Sequence, residues 1–114
     1  MAAYISMWNE RDPQTRRAIG AEVFAHDAYY VDPNTSAQGR SAIDTYVAAW
    51  QEQFLDFVFV LGEVSSHHDV AHFGWGFGPP GGPPAATGGD VVVVEQGRIS
   101  TIYGFFGFLA KWYA

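Results

Sequence analysis

The residues with the clearest chemical promise are Asp32 and Pro33, which close the run Glu22-Val23-Phe24-Ala25-His26-Asp27-Ala28-Tyr29-Tyr30-Val31. Proline fixes its own φ and drives the residue before it into extended geometry. Ala28 to Val31 read as a short strand, so the pleat dictates which way Asp32 points at its end. If neighbouring segments cover that face, Asp32 is a desolvated carboxylate with a raised pKa, suited to moving protons near neutral pH. The competing reading of Asp-Pro is a turn in which the carboxylate caps the Asn34 loop.

Other chemistries find less support. His26, His67, His68 and His72 invite a metal, but on a strand His68 and His72 stand too far apart to chelate easily, and His67 faces the other way. The chain has no cysteine, which excludes disulfides and thiolate metal sites. No metal and no cofactor is expected. The stretch Gly78-Pro79-Pro80-Gly81-Gly82-Pro83-Pro84 lacks the free N–H groups of a phosphate cradle, and no serine-nucleophile motif is present.

The bulk composition narrows the classes further. With 114 residues, one domain spanning 1–114 is expected. Six basic against 12 acidic residues give a net charge of −6 with no basic run, which argues against a nucleic-acid partner. No apolar run approaches membrane-spanning length and no leader-like start is visible, so no membrane partner is expected and a soluble, cytoplasmic protein is the default. Nine Phe, 6 Tyr and 4 Trp supply more ring surface than a small core needs, so some of it should line a cavity.

The elements that would hold such a cavity follow from periodicity. Residues 2–11 read as a helix with Tyr4 and Trp8 one turn apart. Asp12-Pro13 starts a second helix to about residue 25, Asp as N-cap and Pro at the first helical position, with Arg16, Arg17 and Glu22 at least partly solvated. Asn34 to Gly39 reads as a polar loop. A third helix spans about 40–54, where Ile43, Tyr46, Val47, Trp50 and Phe54 form an apolar stripe. From Asp56 the period becomes two: a strand to about Ser66, a hairpin partner over His68–Phe77, the Gly/Pro loop at a rim, a strand Asp90–Glu95, the Gln96-Gly97 turn and a last strand Arg98–Phe108. Helices first and then an antiparallel meander make an α+β fold, a curved sheet wrapped against helices.

At these spacings Phe24-Ala25-His26-Asp27-Ala28-x-x-Val31-Asp32-Pro33, Gly39-Arg40-x-Ala42-Ile43 and Asp90-Val91 followed by Gly97-Arg98-Ile99 resemble the nuclear transport factor 2-like superfamily, in its SnoaL-like and ketosteroid-isomerase-like branch. The resemblance runs from Tyr4 to Phe108. It implies a cone of strongly bent sheet and three N-terminal helices around a deep apolar pocket, and a homodimer formed through the sheet. It also implies roles: Asp32 as general base, Tyr4 (five residues before Asn9) as an oxyanion donor, and Asp90 as a second, protonated donor. SnoaL-like cyclases place their catalytic acid on the same strand, again near Asp90.

The function expected is therefore proton transfer on an apolar, polycyclic or aromatic carbonyl compound. Trp8, Tyr30, Trp50, Phe57, Phe73, Trp75, Phe105 and Phe106 would hold the ligand by area burial and stacking. The alternatives are a SnoaL-like polyketide cyclase or epoxide hydrolase with Asp90 as acid, a redesigned scaffold for base-promoted elimination, and a non-catalytic module that binds an apolar ligand.

Overall fold

Apolar spacing and turn chemistry account for most of the elements that form. The computed structural model describes residues 1–107. Its elements are α1 (Ala2–Asn9), α2 (Pro13–Val23), β1 (Phe24–Asp32), β2 (Thr35–Gln38), α3 (Arg40–Gln53), β3 (Val58–His67), β4 (Val70–Gly78), β5 (Ala86–Glu95) and β6 (Arg98–Phe106). Phe108, placed on the last strand by its sequence, lies outside the described residues.

Asp12 caps α2 as its residue type suggests, accepting the Thr15 N–H at 2.9 Å, with Pro13 opening the helix. The stripe of α3 buries Ile43 and Val47 completely, with Tyr46 and Trp50 half-buried beside them. Arg11 closes that helix by donating to the carbonyls of Gln51, Phe54 and Phe57. Asn9, at the end of α1, clamps β3 with two bonds of 2.8 Å, one to the Phe59 carbonyl and one from its N–H. Gln96 and Gly97 both have positive φ, the geometry of a tight hairpin turn between β5 and β6.

The strands lie in the order β2-β1-β6-β5-β4-β3. β3 to β6 form the expected antiparallel meander. β1, however, runs parallel to β6, so the sheet is mixed and not antiparallel throughout. The reason is topological: α3 carries the chain from the β1–β2 hairpin to the far edge, and the returning meander meets β1 running the same way. Register shifts in β1, β3 and β5 mark irregularities of the kind that bend a sheet. The helices cover one face, over a core that includes Phe24, Ile43, Val47, Phe73, Val92 and Ile102. This is an α+β fold with a curved, unclosed sheet. No helix among the described residues is long and apolar enough to cross a membrane.

Four local expectations are corrected. The polar run after Pro33 is not a loop, because Asp32 Oδ1 takes the N–H groups of Asn34 (2.8 Å) and Thr35 (3.1 Å) and turns the chain back as β2. β1 starts at Phe24, with Arg40 donating to the Phe24 carbonyl ahead of the register shift. Arg16 is not solvated: it is buried and bonded to Asp44 Oδ1 at 2.7 Å and Gln51 Oε1 at 2.9 Å. His68 occupies the turn between β3 and β4 with φ 51°, not a strand, and its Nδ1 sits 3.0 Å from that of His67. Among the described residues no three His, Cys, Asp or Glu groups are arranged to hold a metal ion.

Candidate active site

Strand register brings two carboxylates to one place. Asp90 on β5 stands opposite Gly104 on β6, and Asp32 ends the next strand over. Gly104 has no Cβ, and one added there would lie 3.2 Å from Asp32 Cβ and 3.2 Å from Asp90 Oδ1. The missing methyl is the space in which the two acids converge. Asp32 is 8% exposed and Asp90 5%.

Both acids face a cavity of about 190 Å³. Its floor is buried and includes Tyr4, Ile5, Trp8 and Tyr30 beside the carboxyls. Trp50, Phe59, Trp75 and Phe77 form the walls, and the exposed Ala86, Thr87, Phe106 and Gly107 form the rim. The walls are nearly all aromatic, and many of the rings meet edge-on, as between Trp8 and Phe59 at 5.1 Å.

The two acids have different surroundings. Asp32 Oδ2 accepts from the hydroxyls of Tyr30 (2.6 Å) and Tyr46 (2.8 Å), while Oδ1 accepts the two turn N–H groups. Four donors thus occupy both oxygens of Asp32. Asp90 Oδ1 accepts one bond, from the Trp75 indole N–H at 3.0 Å. Burial pushes the Asp90 carboxyl up to about 6; the Trp75 indole N–H and the nearby Tyr4 hydroxyl pull the other way, and the charge of Asp32 adds to the rise. An acid in that range exchanges its proton readily near neutrality.

The tyrosines stay protonated. Burial, followed by the nearby Asp90 charge, raises Tyr4 well above an ordinary phenol. Burial likewise raises Tyr30, and it pushes Tyr46 up to about 12. All three are therefore hydrogen-bond donors at any working pH.

Of the expected site residues, Asp32, Tyr4, Asp90, Trp8, Tyr30, Trp50, Trp75 and Phe106 come together at this cavity. Three do not line it. Phe57 packs outside against Phe54 and Phe77, at 5.7 and 5.2 Å. Phe73 is wholly buried in the core beside Tyr4. Phe105 is 49% exposed, because its neighbour Phe106 takes the inward position and strand side chains alternate. Sequence reasoning missed Tyr46 as a partner of Asp32, Phe59 and Phe77 as walls, and two glycines. Tyr46 was already visible in the α3 stripe. Gly88 is the less obvious case: a Cβ there would overlap the Trp75 ring and the Phe105 carbonyl, so only glycine lets the indole cross β5 to reach Asp90.

The family model described as a SnoaL-like domain matches residues 1–102. Among curated proteins none matches the chain. Solved structures do. One is a protein from Agrobacterium tumefaciens provisionally named an isomerase of the SnoaL-like family, 32% identical, covering 94% of this chain and 93% of its own, with TM-score 0.88. A second, from Sinorhizobium meliloti and provisionally named a polyketide cyclase, is 23% identical over 90% and 89% of the two chains, TM-score 0.71. A third, from Kribbella flavida and provisionally named a ketosteroid isomerase, is 17% identical over 94% and 74%, TM-score 0.71. The last two speak for the fold alone.

Proposed function

The chain belongs to the SnoaL-like family, and from that premise we propose that it is an enzyme moving a proton on a small carbonyl compound with its own carboxyl groups. The observation that carries this reading is the convergence of two buried acids over Gly104 at the floor of an aromatic cavity, one of them raised to about 6. Such a group takes a proton from carbon when ionised and returns it when protonated, within one turnover.

Asp90 is the better proton carrier of the two. Its Oδ1 accepts one indole N–H, whereas both oxygens of Asp32 are already engaged by four donors. In the proposed step Asp90 removes a proton from the carbon beside the carbonyl, and the electron pair moves to the carbonyl oxygen. Tyr4, protonated and beside Asp90, donates to that oxygen. In a β,γ-unsaturated substrate the resulting dienolate takes the proton back at the γ-carbon as the oxygen's electron pair re-forms the carbonyl and the double bond moves to the α,β-position, which completes an isomerisation. Asp32 is a positioning group that orients Tyr30 and Tyr46. The alternative division, Asp32 as base with a protonated Asp90 as donor, is favoured by Asp32 facing the same cavity.

The test is exchange of α-hydrogens of a cyclic ketone into heavy water, followed by NMR. Asp90→Asn should slow it by about 10²–10⁴-fold, the usual contribution of a general base. Asp32→Asn should cost much less. Exchange at the native rate in Asp90→Asn rejects the assignment, and the opposite ranking of the two variants selects the alternative division.

A further inference from the structure

The space behind the rim is small, and aromatic rings set its width. At about 190 Å³ it only modestly exceeds the roughly 150 Å³ of a dry cavity that takes up benzene. Phe106 meets both Trp50 and Trp75 edge-on, at 6.1 and 6.2 Å, so one ring from β6 bridges the gap between α3 and β4.

Each tryptophan has a neighbour behind it. Trp75 lies against Gly88 with its N–H on Asp90, and Trp50 is backed by Phe54 at 5.0 Å and Phe77 at 5.5 Å. Among the described residues no Arg, Lys or His lines the space, while two acids stand at its floor. A carboxylate or phosphate on the ligand would find no counter-charge among the described residues there.

We infer that the substrate is an uncharged carbonyl compound of a single ring, and that Phe106 sets this limit. The inference rests on the reading of this cavity as the active site. On this inference a fused second ring at the floor would press on Phe106 or Trp75, and only one ring of a larger ligand would reach the acids.

Uncharged phenols carry a ring and an oxygen of enolate-like placement, and they test the limit directly by quenching of tryptophan fluorescence. Phenol, 2-naphthol and a four-ring phenol would be titrated at neutral pH. In an open groove each added ring buries more apolar area and tightens binding. Here phenol should bind about 10-fold more tightly than either larger compound. Phe106→Ala should raise the affinity for 2-naphthol relative to that for phenol by about 10-fold.

Affinity that climbs with ring number in the native chain overturns the inference, as does failure of all three compounds to bind or of Phe106→Ala to admit 2-naphthol. Turnover is read separately. The expected ring order together with α-exchange untouched by Asp90→Asn keeps the size limit and sinks the proton-transfer reading; the reverse pair of results does the opposite.

Discussion

Asp32 and Asp90 share the place where Gly104 lacks a side chain: a Cβ there would stand 3.2 Å from a carbon of one and 3.2 Å from an oxygen of the other. That spacing is tighter than ordinary van der Waals contact, so an added methyl must push one acid aside. Gly104→Ala should cost about 1–3 kcal/mol of stability, the usual result of overpacking. It should also lower α-exchange, because the displaced groups are the ones proposed to move the proton. Urea denaturation and exchange kinetics together check this; native values in both would show that the acids are not held against that strand.

The raised Asp90 makes a prediction about pH. Its folded value of about 6 lies above the unfolded 3.8, so the native state holds its proton where the unfolded chain has lost it. Below 3.8 both states are protonated and no cost exists. Between 3.8 and about 6 stability falls as pH rises, and above that window the full cost is present. A rise of 2.2 units at 1.36 kcal/mol each is about 3 kcal/mol. Asp90→Asn should therefore be more stable than the native chain at neutral pH, by up to about 3 kcal/mol, and no more stable below pH 3.8. With Asp90 as the proposed base, kcat/KM of the native chain should fall as pH drops through about 6. Denaturation midpoints at acid and neutral pH, with a pH–rate profile, decide both.

Trp75 tunes that same acid. Its N–H bond to Asp90 holds the carboxyl below where burial alone would put it. Trp75→Phe keeps the ring and removes the donor, so the acid limb of the pH profile should move upward. Gly88→Ala should shift the limb the same way and add a stability cost, since its methyl would overlap the indole. A limb that stays put in Trp75→Phe while activity drops would mean that the indole acts only as a wall.

Much of this site was readable in the sequence, and what was not has physical causes. Asp32 was legible because Pro33 restricts it locally, and α3 because its apolar residues repeat at helical spacing. The β2 hairpin was hidden because its turn depends on the Asp32 side chain capping Asn34 and Thr35, which composition alone reads as loop. The parallel pairing of β1 with β6 joins distant segments, and no local pattern encodes it. Phe57, Phe73 and Phe105 were misplaced because aromatic character does not say which face of a strand or which side of a core a ring takes. Tyr46 reaches Asp32 from a helix 14 residues on, a contact set by how α3 lies across β1.

The outer face of the sheet predicts self-association. Val60 (62% exposed), Tyr103 and Phe105 project on the side away from the cavity, where β4 presents Gly74 and Gly76. Exposed apolar residues on one face mark an association surface, and a second copy would bury them symmetrically. Analytical ultracentrifugation should find a dimer, and Phe105→Glu should dissociate it. A monomer at micromolar concentration would remove this surface from consideration.

Arg16 carries the last prediction, which concerns the scaffold. Its guanidinium is buried between α2 and α3, with Nε 2.7 Å from Asp44 Oδ1 and Nη1 2.9 Å from Gln51 Oε1. Gln51 in turn donates to the carbonyls of Trp8 and Glu10, tying α1 into the same network. Removing one partner of a buried pair leaves the other without its counter-charge, which costs about 3–5 kcal/mol. Arg16→Ala should therefore destabilise the chain by that amount, read from urea denaturation. The double variant Arg16→Ala with Asp44→Ala should recover part of the loss, because the stranded carboxylate is gone. Additive losses in the double variant would show that Arg16 contributes by packing its stem and not by its charge.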